Sequence, residues 1–183
     1  IRIQAVITKN NINSIEYLAN FVKDNGLVIA ISIPVIYENR DYGPNTMWLN
    51  NEETRQFFIK LKEFKKSGVP IVYSFQALDY CIKWPQSYST IVNEHQEMSN
   101  FKYIKCRHTD FILYMDGDGT IYPCAELWGK GGSNILKDGF QNAWNSFRDY
   151  KCFSCGNIPE ADINLLLDLN LSSILNIAKY ILG

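Results

Sequence analysis

A nearly uninterrupted apolar run, Leu27 to Ile33, most constrains what this chain can fold into. A strand that is apolar on both faces is typical of a parallel sheet covered by helices on both sides. Parallel strands need connections of helix length, and helical patterns lie on either side of this run. The sequence therefore predicts a β-α-β-α-β order whose three strands are Ile1 to Ile7, Leu27 to Ile33 and Pro70 to Tyr73.

The two intervening helices carry their own start and stop signals. Asn13 precedes Glu16 by three residues, and Asn50 precedes Glu53 by three, which is the spacing of a capping box with Asn in the first position. Gly26 and Gly68 follow the helical patterns and predict helix ends. We expect apolar residues on one face of each helix to pack in the core. For the second helix these include Phe57, Phe58 and Phe64.

Composition excludes several function classes. The 18 basic and 19 acidic residues leave a net charge of −1, so no general positive field attracts nucleic acid. No apolar run approaches the roughly 20 residues that a membrane helix needs, so no membrane partner is expected. The five cysteines are an odd number, which suits disulfide pairing poorly and predicts a reducing, cytoplasmic compartment. Ile1 to Ile7 starts as a strand, so we expect a piece of a longer polypeptide.

The pattern changes after about residue 75, and we predict two domains, 1–75 and 76–183. In the second, Phe111 to Met115 and Thr120 to Tyr122 flank Asp116-Gly117-Asp118-Gly119, which predicts a β-hairpin whose two aspartates serve the turn. A short helix follows at 140–147. The apolar tail from Glu160, with a helix start near Ser172 and Ser173, is expected to pack back on this domain.

Four cysteines in this region are the strongest chemical signal. Cys152 and Cys155 form a C-x2-C pair, a spacing that brings two thiolates to one metal when it lies in a tight turn. Four thiolates can ligate one tetrahedral zinc ion or one four-iron four-sulfur cluster. The candidate ligands are Cys106, Cys124, Cys152 and Cys155. Cys81 lies outside the pattern and is predicted to be a buried thiol. Of the two histidines, His95 and His108, the second could tune a cluster through a hydrogen bond but is predicted to be a surface or partly buried residue.

These motifs resemble a known family. Cys106, the hairpin with Gly119-Thr120-Ile121-Tyr122-Pro123-Cys124, the helix Gly139 to Trp144 and the Cys152-x2-Cys155 pair resemble the SPASM/twitch auxiliary-cluster region of radical S-adenosylmethionine enzymes. The first β/α units resemble the last units of the partial β/α barrel in those enzymes. The resemblance thus covers nearly the whole chain, with specific motifs only at the cysteines and the hairpin.

The resemblance implies an α/β fold: the C-terminal part of a partial barrel, followed by a small α+β twitch-like domain. It implies one auxiliary four-iron four-sulfur cluster, used for electron transfer or substrate positioning, and S-adenosylmethionine in the intact enzyme. A peptide or small-molecule substrate and a reductant protein would be the partners. The resemblance also suggests pocket residues at the strand ends, namely Thr8, Asn10, Pro34 and Tyr37.

The sequence departs from the family in two ways. It has no C-x3-C-x2-C triplet, which the family uses to bind the cluster that cleaves S-adenosylmethionine, so this segment should be inactive alone. No cysteine follows Cys155, which favours a single auxiliary cluster. Two alternatives stay open: a non-enzymatic four-cysteine zinc module that binds a protein or peptide, and an electron carrier without radical chemistry.

Overall fold

The computed structural model describes residues 1–34, 47–93, 100–150 and 152–182, and it divides into two compact units. Among the described residues, unit 1 comprises 1–34, 47–90 and 155–182, and unit 2 comprises 91–93, 100–150 and 152–154. The protein is mixed α/β, as predicted. The described strands form two two-stranded sheets and one three-stranded sheet, and none of these closes into a barrel.

Unit 1 begins with a β/α/β arrangement. Strands β1 (Arg2–Val6) and β2 (Val28–Ser32) pair in parallel, with Arg2 opposite Val28 and Val6 opposite Ser32. Helix α1 (Ile15–Asp24) connects them and buries Ile15, Ala19 and Val22. These three residues belong to the apolar stripe that predicted the helix. The parallel pairing of the first two predicted strands is therefore confirmed.

The third predicted strand is reduced to one bridge. Ile71 pairs in parallel with Ile29, where the Ile29 amide donates to the Pro70 carbonyl at 2.9 Å and the Val72 amide donates to Ile29 at 3.0 Å. Pro70 has no N–H to extend the ladder. The Ile71 amide instead donates to the Val69 carbonyl at 2.8 Å, which turns the chain before a longer strand can form.

The other helices of unit 1 pack on one another in chain order. Helix α2 (Asn51–Lys66) has the predicted capping box, in which the Glu53 amide donates to Asn50 Oδ1 at 2.9 Å and the Asn50 amide donates to Glu53 Oε2 at 2.7 Å. Helices α3 (Phe75–Ile82), α7 (Ile158–Leu167) and α8 (Leu171–Leu182) complete the unit. Its fully buried side chains include Val22, Ile29, Phe58, Leu61, Leu78 and Trp84.

One helix start differs from its prediction. Helix α1 begins after Ser14 rather than at Asn13, because residues Ile12–Ser14 form a preceding 3-10 turn. The predicted glycine stops at Gly26 and Gly68 both have positive φ, at 62° and 90°. The predicted ends of both helices are therefore confirmed, and only the start of α1 differs from its prediction.

Unit 2 contains short elements around a small hydrophobic core of Ile121, Ala143 and Phe147. Strands β4 (Tyr114–Met115) and β5 (Thr120–Tyr122) form the predicted antiparallel hairpin, and β6 (Ser133–Asn134) adds a third strand to it. The predicted first strand is shorter than expected because Phe111 ends helix α4 (His108–Phe111). The remaining elements are β3 (Ile91–Asn93), α5 (Ile135–Asp138), α6 (Phe140–Asn145) and β7 (Cys152–Cys155), whose last residue is assigned to unit 1. Strand β3 pairs with β7.

The observed division differs from the predicted domains 1–75 and 76–183. Helix α3 and both C-terminal helices belong to unit 1, so the tail does not join the cysteine-rich region. A buried hydrogen bond explains this placement, since Ser74 Oγ donates to Asp162 Oδ1 at 2.6 Å across 88 residues of sequence. In the part of the chain that the structure describes, no helix is long and apolar enough to cross a membrane.

Candidate functional site

The pocket candidates of unit 1 lie at the carboxyl ends of the parallel strands. Thr8 follows β1 and Pro34 follows β2, and both are half-buried at the same edge of the sheet. Asn10 is exposed beside Thr8. Tyr37 lies outside the described residues, as does His95. The structure thus brings Thr8 and Pro34 to one edge, which is where parallel α/β sheets place their ligands.

Asn11 fixes the loop at this edge. Its side-chain oxygen accepts from the Thr8 amide at 2.7 Å, and its Nδ2 donates to the Val6 carbonyl at 2.9 Å. These bonds give Asn11 a structural role in the turn rather than a free side chain for a ligand. Lys9 next to it forms an exposed ion pair with Glu53 at 3.4 Å.

The hairpin of unit 2 is built by its turn residues. Asp118 Oδ1 accepts from the Thr120 amide at 2.8 Å, and Asp116 Oδ1 accepts from the Gly117 amide at 2.8 Å. The bond from Thr120 lowers the pKa of Asp118. Gly119 has a φ of 87°, a conformation that favours glycine. The predicted turn role of the two aspartates is confirmed.

The predicted thiol ligands occupy different environments. The Cys106 amide donates to the Phe153 carbonyl at 2.7 Å, which fixes this part of the chain alongside β7. Cys124 follows β5 and is buried. Cys152 and Cys155 are the first and last residues of β7. Cys81, on α3 in unit 1, is fully buried, and burial raises its thiol pKa well above the usual value. Its predicted buried state is confirmed.

A cavity of about 360 Å³ in unit 2 brings two of the thiols together with charged groups. Cys106 and Cys152 both line it, and so does Tyr150, whose pKa is raised by burial and by the nearby Tyr122 and Cys124. The other lining residues are Lys105, Thr109, Asp110, Trp144, Phe147, Arg148 and Phe153. The thiols of Cys106 and Cys152 therefore line one cavity, and the thiol of Cys124 lies near Tyr150, which lines the same cavity.

The arrangement differs from a ready metal site. Throughout the described ranges, no three His, Cys, Asp or Glu side chains are grouped so that they could hold a metal ion. The expected tight turn at Cys152-x2-Cys155 is instead a strand, and side chains three positions apart on a strand point to opposite faces. The thiols match a cluster or zinc in donor chemistry, but the structure does not assemble them.

Two features of this region were missed from the sequence. Lys105 and Arg148 line the cavity, although they are separated by more than 40 positions in the chain. Lys105 is next to Cys106, and this adjacency was the one signal available. His108 is buried, with 1% of its surface exposed, so the prediction of a surface or partly buried side chain is wrong. It lies on the one-turn helix α4, whose apolar pattern is too short to reveal which face is covered.

A buried polar network in unit 1 was also missed. Asp162 accepts from the Ser74 amide at 3.0 Å and from Ser74 Oγ at 2.6 Å, and Ser173 Oγ donates to Ser74 Oγ at 3.2 Å. All three residues are at least 90% buried. Burial raises the pKa of Asp162, while the bonds from Ser74 act in the opposite direction. These contacts fasten α7 and α8 to the start of α3.

Lys65 is the buried cation next to this network. Its Nζ donates to the Ile71 carbonyl at 2.6 Å and to Tyr180 Oη at 3.2 Å, and it lies over the rings of Phe75 and Tyr180 at 5.4 and 5.2 Å. Burial lowers its pKa to about 8, although Asp162 acts to raise it. With its partners supplied internally, Lys65 serves the packing of unit 1.

Comparison of the chain with protein-family models, with curated proteins and with solved structures finds no match in any of the three. The functional conclusion therefore depends on the cysteine pattern and on the cavity of unit 2.

Proposed function

We propose that this chain is the C-terminal portion of a radical S-adenosylmethionine enzyme that carries one auxiliary four-iron four-sulfur cluster. The observation that carries the proposal is the cavity that Cys106 and Cys152 share, one of whose lining residues, Tyr150, lies near Cys124. The cluster would be held by Cys106, Cys124, Cys152 and Cys155. When bound, it would supply electron transfer or a means of positioning the substrate.

The charges around the thiols support this proposal. A cluster with four thiolate ligands is an anionic group, and its stability depends on nearby positive charge and hydrogen bonds. Lys105 and Arg148 line the same cavity as Cys106 and Cys152. They would favour the thiolate form of these cysteines over the thiol.

The first β/α units support the barrel part of the proposal. Parallel β1 and β2, with Ile71 as a one-residue bridge, have the connectivity of units in a partial β/α barrel. Thr8, Asn10, Pro34 and Tyr37 would then lie toward S-adenosylmethionine in the intact enzyme. A peptide or small molecule would be the substrate, a reductant protein would supply electrons, and the enzyme would be cytoplasmic.

Metal analysis of the whole chain tests the proposal. The chain should be purified and reconstituted anaerobically with iron and sulfide, and iron, acid-labile sulfide and zinc should be quantified per polypeptide. About four irons and four sulfides support an all-cysteine cluster. One zinc without sulfide would overturn the cluster in favour of the four-cysteine zinc module. A chain that takes up neither would overturn both.

A further inference from the structure

We propose that the cavity of unit 2 is a binding site for a small aromatic anion, with a carboxylate or phosphate held by Lys105 and Arg148. This proposal does not require a cluster in unit 2. Its starting point is that both cations line the same cavity of about 360 Å³. That volume lies within the range of small-molecule sites.

Among the described residues, Lys105 and Arg148 have no partner that competes with an anion. In the described part of the chain, neither Lys105 nor Arg148 forms an ion pair or a side-chain hydrogen bond with another residue. Both residues are exposed, so their charged groups are solvated and free to exchange water for an anion. An arginine guanidinium binds carboxylate or phosphate oxygens in a two-point geometry, and lysine adds a point charge.

The remaining walls define the rest of the ligand. Trp144 and Phe153 are half-buried and both line the cavity, which gives it an aromatic wall, whereas the neighbouring Phe147 is fully buried. Thr109 adds a hydroxyl whose hydrogen bonds are not used by other described residues. A ligand with a flat ring and an anionic group would fit this cavity, because the ring can pack against the aromatic wall while the anionic group contacts the two cations.

Asp110 is the acidic residue of the cavity, and its charge predicts in which direction its replacement changes anion binding. It also lines the cavity, and it pairs with neither cation within salt-bridge distance across the described ranges. Its carboxylate repels an anionic ligand and leaves the cavity with only one excess positive charge. Removing this charge should therefore strengthen binding, whereas a change in either cation should weaken it.

The test is fluorine NMR of three probes with the reduced, metal-free chain. The probes are para-fluorobenzoate, para-fluorophenyl phosphate and the neutral para-fluorobenzyl alcohol. We expect saturable binding of at least one anion with a Kd of about 0.1 to 1 mM, and much weaker binding of the alcohol. The two anions show whether carboxylate or phosphate is preferred.

Charge variants locate the site. Arg148→Glu and Lys105→Glu should each weaken anion binding by about 10-fold or more, while Asp110→Asn should strengthen it about 2-fold. Lys102→Glu is the matched control, because Lys102 is an exposed lysine that does not line the cavity, and it should change binding by less than 2-fold. Circular dichroism and thermal melting should show that all variants fold, as expected for exposed positions.

Three results would overturn the proposal: no saturable binding of either anion, equal binding of the alcohol, or equal weakening by Lys102→Glu and Arg148→Glu. Failure of this proposal and failure of the proposed function are distinguishable. Iron and sulfide uptake without anion binding contradicts only the present inference, while anion binding without metal uptake contradicts only the cluster.

Discussion

Lys65 in unit 1 and Arg148 in unit 2 are both cations that share their surroundings with aromatic rings, but only Lys65 has its hydrogen bonds met inside the protein. Lys65 is 9% exposed and donates to the Ile71 carbonyl and Tyr180 Oη. Arg148 is exposed and lines a cavity together with Lys105 and two thiols. Lys65 thus holds elements of unit 1 together, whereas Lys105 and Arg148 in unit 2 are left available to a ligand or cofactor.

The largest effect is expected at Asp162. Replacing Asp162 with Ala removes the acceptor of two Ser74 hydrogen bonds and leaves buried donors unsatisfied. We expect a loss of about 3 kcal/mol in the free energy of unfolding. Urea denaturation measures it, with Asp24→Ala as the control at an exposed position, where a change within about 0.5 kcal/mol is expected. Equal losses in the two variants would contradict the role given to the network.

The next effect is a pH dependence caused by Lys65. Its pKa is about 8 in the folded protein, against 10.5 for an ordinary lysine, so the unfolded chain binds more protons between these values. Stability contributed by this group therefore rises with pH across this window, by about 2 kcal/mol from pH 7.5 to 9.5. Burial also raises the pKa of the Cys81 thiol, which opposes this rise from about pH 8.5 upward, and the raised pKa values of Tyr73 and Tyr180 oppose it near pH 10 and above.

Urea denaturation over this pH range, on wild type and two variants, isolates the contribution of Lys65. Lys65→Met should abolish the rise, and Lys66→Met, at the exposed neighbouring position, should keep it. A slope that survives in Lys65→Met would show that another group causes the pH dependence.

A smaller loss is expected from close packing in unit 2. A Cβ at Gly132 would lie 2.4 Å from Tyr122 Cε1 and 2.6 Å from Thr120 Cγ2. Gly132→Ala must therefore displace β5 side chains, and we expect it to destabilise the protein by about 1 to 2 kcal/mol. Thermal melting measures this loss. In Gly117→Ala, in the same hairpin, the added Cβ meets no atom within 4 Å, so this control variant should melt close to the wild type. A neutral Gly132→Ala would mean that the hairpin is loosely packed.

The smallest stability effect is expected at the cavity cations. Arg148→Ala and Lys105→Ala remove charges that have no ion-pair partner among the described residues, so each should change the free energy of unfolding by less than about 0.5 kcal/mol. A loss comparable with that of Asp162→Ala would remove the contrast between the two units.

Features encoded by neighbouring residues were predictable from the sequence. The capping box of Asn50 and Glu53 needs only two residues three positions apart, and the hairpin turn needs only its own aspartates and glycine. The parallel pairing of β1 and β2 was also predictable, because the apolar run from Leu27 to Ile33 indicates a strand that is covered on both faces.

Features that depend on distant contacts were not predictable. The hydrogen bond between Ser74 and Asp162 joins residues that are 88 positions apart in the sequence. The C-terminal helices therefore belong to unit 1 and not to the predicted second domain. Strand β6 has only two polar residues and thus no periodicity to detect. At the site, the four candidate cysteines could be identified from the sequence. The C-x2-C spacing, however, does not show whether Cys152 to Cys155 form a turn or, as in this structure, a strand.

We expect Cys106, Cys124, Cys152 and Cys155, and not the fully buried thiol of Cys81, to bind an iron-sulfur cluster. Iron and acid-labile sulfide should therefore be compared in anaerobically reconstituted wild type, Cys152→Ala and Cys81→Ala. We expect about four irons in wild type and Cys81→Ala, and a large loss in Cys152→Ala. Equal iron loss in the two variants, or full retention in Cys152→Ala, would contradict it.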